Sequence, residues 1–271
     1  MTIIVECEQG SLDWHYARAG VITASNFAMV RKRVNGLDER QARLVSLVRD
    51  GGMDMKDAAA EAGYKSAPTS ERIKRAINGE AVGDYTDAAL NYAMRVAVER
   101  INMAPLDEGF QGWEARRGQE LEPVAREKHA ARIGREITPT GIVLTDDSRF
   151  GASADGLIGD DGGSEYKCFI APEKLRTILI DGDTSDLADQ VQGCMWLTGR
   201  TWWDLVLYCP ALEAAGKDVT IFRQERDDDY IAALERDLWE FERLVSHYQA
   251  VLEDRPANEP MNEEPAASGW L

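Results

Sequence analysis

Asp155, Glu165 and Lys167 are the residues whose types and spacing could do chemistry together. They sit in FGASADGLIGDDGGSEYKCF, residues 150–169. Two strand-like runs there flank Gly159-Asp160-Asp161-Gly162-Gly163, a strong turn signal, so the segment reads as a β-hairpin. Side chains alternate along a strand, which puts Glu165 and Lys167 on one face and Tyr166 and Cys168 on the other. The first strand delivers Asp155 beside Gly156, where a missing side chain admits backbone or ligand. Two carboxylates and an ammonium at one point suit a hard cation that polarises a phosphate and a water together. Alone, the same residues would read as a turn aspartate and a solvent-facing ion pair on an edge strand. The rest of the chain has to decide.

Three further features could serve that site. Arg18 precedes Gly20 and a Thr23-Ala24-Ser25 turn able to cap a helix, and a hydroxyl, a helix start and an arginine make a phosphate site. Glu122, just before Pro123 on a charged helix, is a candidate extra carboxylate. Gln190 and Gln192 are two apart on one helix, so only one of them can face the hairpin.

The elements that must position these groups are legible in outline. Residues 1–10 read as a short strand or arm, and residues 38–103 as a run of helices punctuated by Gly63, Gly79 and Gly83. Residues 111–134 read as a helix interrupted or restarted at Pro123, and 137–144 as a strand. After the hairpin come a short helix at 171–180 and a second at 187–197 opened by Thr184-Ser185-Asp186. Strands follow at 202–208 and 218–224, and a long helix starts at Asp227-Asp228-Asp229. Trp14, Tyr16 and Phe27 read as packing residues. We expect one α/β domain over 1–253, with 38–110 a helical region packed on its core. Residues 254–271 read as an acidic flexible tail ending in Trp270 and Leu271.

The chain has 271 residues and a net charge of −17, from 31 Lys and Arg against 48 Asp and Glu. That balance does not exclude DNA as a partner. Residues 227–271 hold twelve of the acids and three of the bases, and basic clusters remain at Arg31-Lys32-Arg33, Arg72/Lys74/Arg75, Arg116-Arg117 and Arg126/Lys128/Arg132/Arg135. Affinity for DNA follows the local field, so an acidic exterior is compatible with an enclosed basic path, and net charge does not decide the matter. The four cysteines and three histidines are scattered without ligand spacing, which argues against a zinc site and for a reducing cytosol. No apolar run is long enough to span a bilayer.

Five segments in order, WHYARAGVITAS (14–25), RRGQELEPVA (116–125), GASADGL (151–157), EYK (165–167) and DQVQGCMWLTG (189–199), make the sequence resemble the lambda-type phage exonucleases. These form the viral recombinase branch of the PD-(D/E)xK nuclease superfamily. Ala154 stands where the superfamily pattern has its proline. The resemblance implies a restriction-endonuclease-like core, a central mixed sheet flanked by helices. It implies that Asp155, Glu165 and the Tyr166 carbonyl hold Mg²⁺, with Mn²⁺ accepted. Glu122 would stand near a second ion, and Lys167 would orient or deprotonate the attacking water. Arg18, Ser25, Ser153 and Gln190 would surround the 5′-phosphate of the digested strand. The implied activity is 5′ to 3′ digestion of double-stranded DNA ends, leaving 3′ overhangs for recombination by single-strand annealing. A ring-shaped homotrimer, an annealing-protein partner and a phage-encoded protein in a bacterial cytoplasm go with it. A structure-specific endonuclease and an inactive DNA-binding scaffold are the alternatives.

Overall fold

A computed structural model of the chain describes residues 2–106, 113–168 and 171–254. The expected tail beyond Asp254, with Trp270 and Leu271, lies outside them, as do Gln111 and Phe169. In chain order the first elements are β1 (Thr2–Val5), α1 (Leu12–Arg18), β2 (Ile22–Thr23), α2 (Phe27–Arg31) and β3 (Arg33–Val34). A helical stretch follows: α3 (Glu39–Arg49), α4 (Met55–Glu61), α5 (Glu71–Ile77), then β4 (Asp84–Tyr85), α6 (Asp87–Asn102) and α7 (Trp113–Ile133). Next come β5 (Ile142–Thr145), β6 (Phe150–Ala152), β7 (Gly156–Ile158), β8 (Gly162–Lys167), α8 (Pro172–Leu179) and α9 (Ala188–Thr198). The described chain closes with β9 (Trp202–Tyr208), β10 (Val219–Glu225) and α10 (Asp228–Glu253).

Local chemistry sets many of these boundaries. Asp38 and Gln41 form a capping box at the head of α3, and Asp54, Thr86 and Asp227 each accept a backbone N–H at the heads of α4, α6 and α10. Each cap satisfies a donor that a helix start leaves orphaned. The Thr23-Ala24-Ser25 turn does not cap a helix. It opens a 3₁₀ turn with no side-chain cap bond, because Thr23 Oγ1 is taken by Arg18, Asn26 and Ser25 instead.

The mixed sheet forms as two four-stranded sheets, ordered β1-β5-β6-β2 and β10-β9-β8-β7, with β3 and β4 a separate ladder. Within them β2–β6 and β8–β9 run parallel, and the other pairs antiparallel. The first strand of the expected hairpin is therefore broken. β6 belongs to one sheet and β7 to the other, and the chain crosses between them at Ser153-Ala154-Asp155. Side chains hold the break open: Gln9 Nε2 donates to the Ala154 carbonyl at 2.8 Å and Arg126 Nε to the Asp155 carbonyl at 3.0 Å. A continuous ladder would have used those acceptors.

Two other expectations shift. The strand expected at 137–144 begins only at Ile142, and Thr138 is left as an isolated bridge to Leu157; Pro139 has no N–H to continue a ladder. α7 runs unbroken through Pro123. Its Ala125 face packs on Tyr166, Val206 and Tyr208, and that burial outweighs an interior-proline cost of about 3 kcal/mol.

The main core lies where α9 passes between β6, α2 and α10. Phe27, Phe150, Trp203, Leu238 and Phe241 are fully buried there, and truncating one such aromatic costs about 3–5 kcal/mol. Gly162 and Gly163 have Trp202 and Trp203 of the neighbouring strand where a Cβ would stand, so the hairpin's second strand must start with glycine. Of the residues expected to pack, Phe27 does, Trp14 is half-buried and Tyr16 is 57% exposed, because α1 buries no residue fully.

Candidate active site

The hairpin builds the first half of the site. β7 and β8 pair Gly156 with Ser164, Leu157 with Gly163 and Ile158 with Gly162, so Asp155 and Glu165 come next, opposite each other. Asp155 Oδ2 accepts the backbone N–H of Tyr166 at 2.7 Å. Glu165 Oε1 accepts from Lys167 Nζ at 2.8 Å and from Gln190 Nε2 at 2.7 Å. Lys167 Nζ also donates to Gln190 Oε1 at 3.0 Å. Gln190 is thus the glutamine of α9 that faces the hairpin. Gln192 turns away to the Glu225 carbonyl and the Asp227 N–H.

Tyr166 lies between the two charged residues of β8 with its ring on the opposite face. Its hydroxyl meets His129 Nδ1 at 3.1 Å and Ser164 Oγ at 3.2 Å. Burial, the largest influence, raises its pKa. Its side chain is structural, and only its backbone is placed to serve the carboxylates.

Charge is crowded here. Asp155 and Glu165 are both buried, and Glu165 Oε2 has no hydrogen-bond partner among the described residues. Burial, then the charges of Glu165 and Glu122, push the Asp155 carboxyl well above the usual range. Burial pulls Lys167 down, but the charges of Glu165 and Asp155 outweigh it and hold the ammonium above its ordinary value. Burial pushes the nearby Cys168 thiol up to about 11, so it is no thiolate nucleophile.

This donor set fits a hard divalent cation. Two buried carboxylates that repel each other, one with an unpartnered oxygen, are what a Mg²⁺-sized charge would stabilise. Glu122 stands slightly apart. It pairs with Arg126 one turn along α7, although burial, with Glu165 contributing, still raises its pKa. Among the described residues no three His, Cys, Asp or Glu side chains already form a ligand group.

The second half of the site is an arginine cradle. Arg18 Nη1 donates to Ser153 Oγ at 3.2 Å and Nη2 to Thr23 Oγ1 at 3.4 Å, and the guanidinium stacks 4.1 Å from the Trp14 ring centroid. Trp14 Nε1 donates to Ser153 Oγ at 2.9 Å, and Ser25 Oγ is 3.3 Å from Thr23 Oγ1. Arg18, Ser25 and Ser153 are therefore brought together, while Gln190 stands with the carboxylates. Ser153 is two residues from Asp155 and joins the halves. A cavity of about 740 Å³, bordered by Gln9, Trp14, Glu122 and Arg126, opens beside them.

Sequence reasoning missed several members. Arg126 appeared only as part of a basic cluster, yet it grips both Glu122 and the Asp155 carbonyl. Its spacing of four from Glu122 on one helix was the available signal. Gln9, Asn26 and the polar edge of Trp14 carried none. The basic clusters also do not all line a path: Arg31 is spent on Asp189 at 2.6 Å and Asp237 at 2.8 Å.

Mixed sheets flanked by helices, with a carboxylate-lysine hairpin at their junction, define a PD-(D/E)xK-type α/β fold. An alkaline exonuclease from Laribacter hongkongensis, LHK-Exo, shares it at 24% identity and a TM-score of 0.61, over 90% of this chain and 96% of the other. The same enzyme in complex with dAMP aligns over the same shares, at 24% identity and a TM-score of 0.63. No curated protein matches the chain. The YqaJ-like viral recombinase domain matches residues 13–201, and the chain belongs to that family. No helix among the described residues is long and apolar enough to cross a membrane.

Proposed function

We propose that the chain is a Mg²⁺-dependent exonuclease that digests one strand of duplex DNA from its 5′ end. The product is a 3′ overhang suited to recombination by strand annealing. The observation that carries this reading is the closed cluster of Asp155, Glu165, Lys167 and Gln190, joined through Ser153 to the Arg18 cradle. Membership of a viral recombinase family and a fold shared with an alkaline exonuclease support it.

In this reading Asp155, Glu165 and the Tyr166 carbonyl hold the ion, Glu122 borders a second position, and Mn²⁺ is accepted. When bound, the metal polarises the scissile phosphate and acidifies a water. Lys167, beside Glu165, orients or deprotonates that water and offsets charge on the phosphate. Gln190 fixes the rotamers of both Glu165 and Lys167. Arg18 grips the terminal 5′-phosphate through its forked donors, with the Ser25 and Ser153 hydroxyls completing the cradle.

The test is a gel assay with Mg²⁺ on linear duplex labelled at one 5′ or one 3′ end, beside a closed circle. Early release of the 5′ label with the circle intact is expected. Early release of the 3′ label overturns the polarity, and cutting of the circle overturns the end requirement. A ring-shaped homotrimer belongs to the same proposal, and light scattering of the purified chain tests it. So does an annealing-protein partner, tested by whether such a protein, added pure, co-elutes with the chain.

A further inference from the structure

The helices α3, α4 and α5 form a unit that the site does not use. Their chain leaves and rejoins the core at one neck, where β3 and β4 pair Arg33 with Tyr85 and Val34 with Asp84. The unit has its own small core of Leu44, Val45, Ala58, Ala59, Ile73 and Ala76. Alanines on α4 and α5 let each of these short helices pack against α3. Gly63, at φ +82°, turns the chain out of α4, and Arg40 of α3 ties that turn down by donating to the Ala62 carbonyl at 3.2 Å while stacking 3.8 Å from the Tyr64 ring centroid. The far side is bolted to α10: Arg75 meets Glu80 at 2.9 Å and also pairs with Glu240, and the Ala81 N–H donates to Asp237 at 2.9 Å.

A back helix, a short helix, a glycine-bearing turn and a second short helix form the order of helix-turn-helix DNA readers. The connection here, residues 62–70, is longer than their usual turn. Charge points the same way. Residues 62–77, the turn and α5, carry four Lys and Arg against one Glu, in a chain of net charge −17, so this is a locally basic segment on an acidic protein. Lys65, Ser66, Thr69, Ser70, Arg72 and Lys74 are all exposed along α5 and the turn before it. The Ser70 hydroxyl makes no cap bond although it stands at the cap position. These are donors suited to phosphates and groove edges; Lys74 pairs loosely with Glu71 at 3.5 Å and Arg72 donates to the Gly36 carbonyl at 3.3 Å, exposed contacts that a phosphate can replace. An α-helix, about 10–12 Å across with its side chains, fits a major groove about 12 Å wide.

We propose that this unit is a second contact for duplex DNA, in which α5 and its preceding turn lie against the double strand away from the end being processed. It extends the reading that the chain works on DNA but needs no catalysis. Such a contact would keep the protein on duplex while a strand end occupies the hairpin site.

The experiment uses the full chain, chelator in place of metal, and a fluorescent duplex closed by hairpins at both ends. Affinity is followed by anisotropy across a salt series. Arg72→Ala/Lys74→Ala should weaken binding about 10-fold and lower the log–log salt slope by about 2. Arg43→Ala/Arg49→Ala, the same loss of charge on α3, should bind as wild type does. Lys65→Glu is an independent variant on the turn and should weaken binding as well. Equal loss from both pairs would mean a diffuse field, and no loss from the α5 pair would leave the face to a protein partner. Either result overturns the proposal. With no metal and no free end, the outcome is independent of whether the hairpin site cuts DNA.

Discussion

Two buried polar clusters lie on opposite faces of β8, and they treat their charges in opposite ways. On one face Asp155 and Glu165 crowd together, Glu165 keeps an unpartnered oxygen, and burial holds the Asp155 carboxyl well above the usual range. On the other, Asp204 of the neighbouring β9 takes Arg223 through both oxygens, at 2.7 and 2.9 Å, and meets His129 Nε2 at 3.2 Å. Burial raises the Asp204 pKa, but the bonds from His129 and Arg223 outweigh it and hold it below the ordinary value. Similar side chains in similar burial thus reach opposite states. The satisfied cluster is a structural joint that fastens α7, which carries His129 and Glu122, to the sheet. The unsatisfied one is poised for something it must bind. A protein does not keep a buried carboxylate oxygen idle for stability, since an unpaired charged acceptor costs several kcal/mol.

The sharpest way to break this contrast is to neutralise one acid on each side. Glu165→Gln should cut nuclease turnover on the order of 10³-fold, as loss of the charge proposed to hold the metal removes several kcal/mol of transition-state stabilisation. Its melting temperature should hold or rise, because a repulsive pair is gone. A large fall in melting temperature would make Glu165 a structural residue. Asp204→Ala should do the reverse. It leaves His129 without its acceptor and should cost about 3 kcal/mol in urea unfolding, while properly folded protein keeps its rate per molecule.

Smaller effects test the division of labour inside the site. Lys167→Ala should slow the chemical step about 10²-fold with DNA affinity nearly kept, read by single-turnover kinetics beside a binding titration. Arg18→Ala should remove about a 10-fold preference for 5′-phosphorylated over 5′-hydroxyl ends, the scale of one lost charge-assisted bond pair. A variant that still discriminates as wild type does would move the phosphate cradle elsewhere.

The smallest expected effect is on pH dependence. The folded pKa of Asp204 is depressed, so its contribution to stability is full above the unfolded value near 4 and is lost as pH falls through the lower folded value. Thermal melts in acid should therefore show a flatter decline for Asp204→Asn than for wild type, from an already lower start. Parallel acid limbs would show that Asp204 is not the group responsible.

Much of this molecule was determined within short stretches of sequence. The helix heads at Asp38, Thr86 and Asp227, the glycine turn at 159–163 and the Glu165-x-Lys167 alternation are effects among residues a few positions apart, where backbone geometry leaves few choices. So the hairpin acids and lysine could be named, and their roles expected, from the order of five segments. What only the tertiary structure decided involves partners far apart in the chain. Packing of α9 chose Gln190 over Gln192. Arg126 took Glu122 away from the other carboxylates, and Gln9 captured the Ala154 carbonyl and split the expected sheet in two. His129 found Asp204 across 75 residues. Such pairings depend on how helices settle on a sheet, and no local propensity encodes which of several equally spaced side chains will meet.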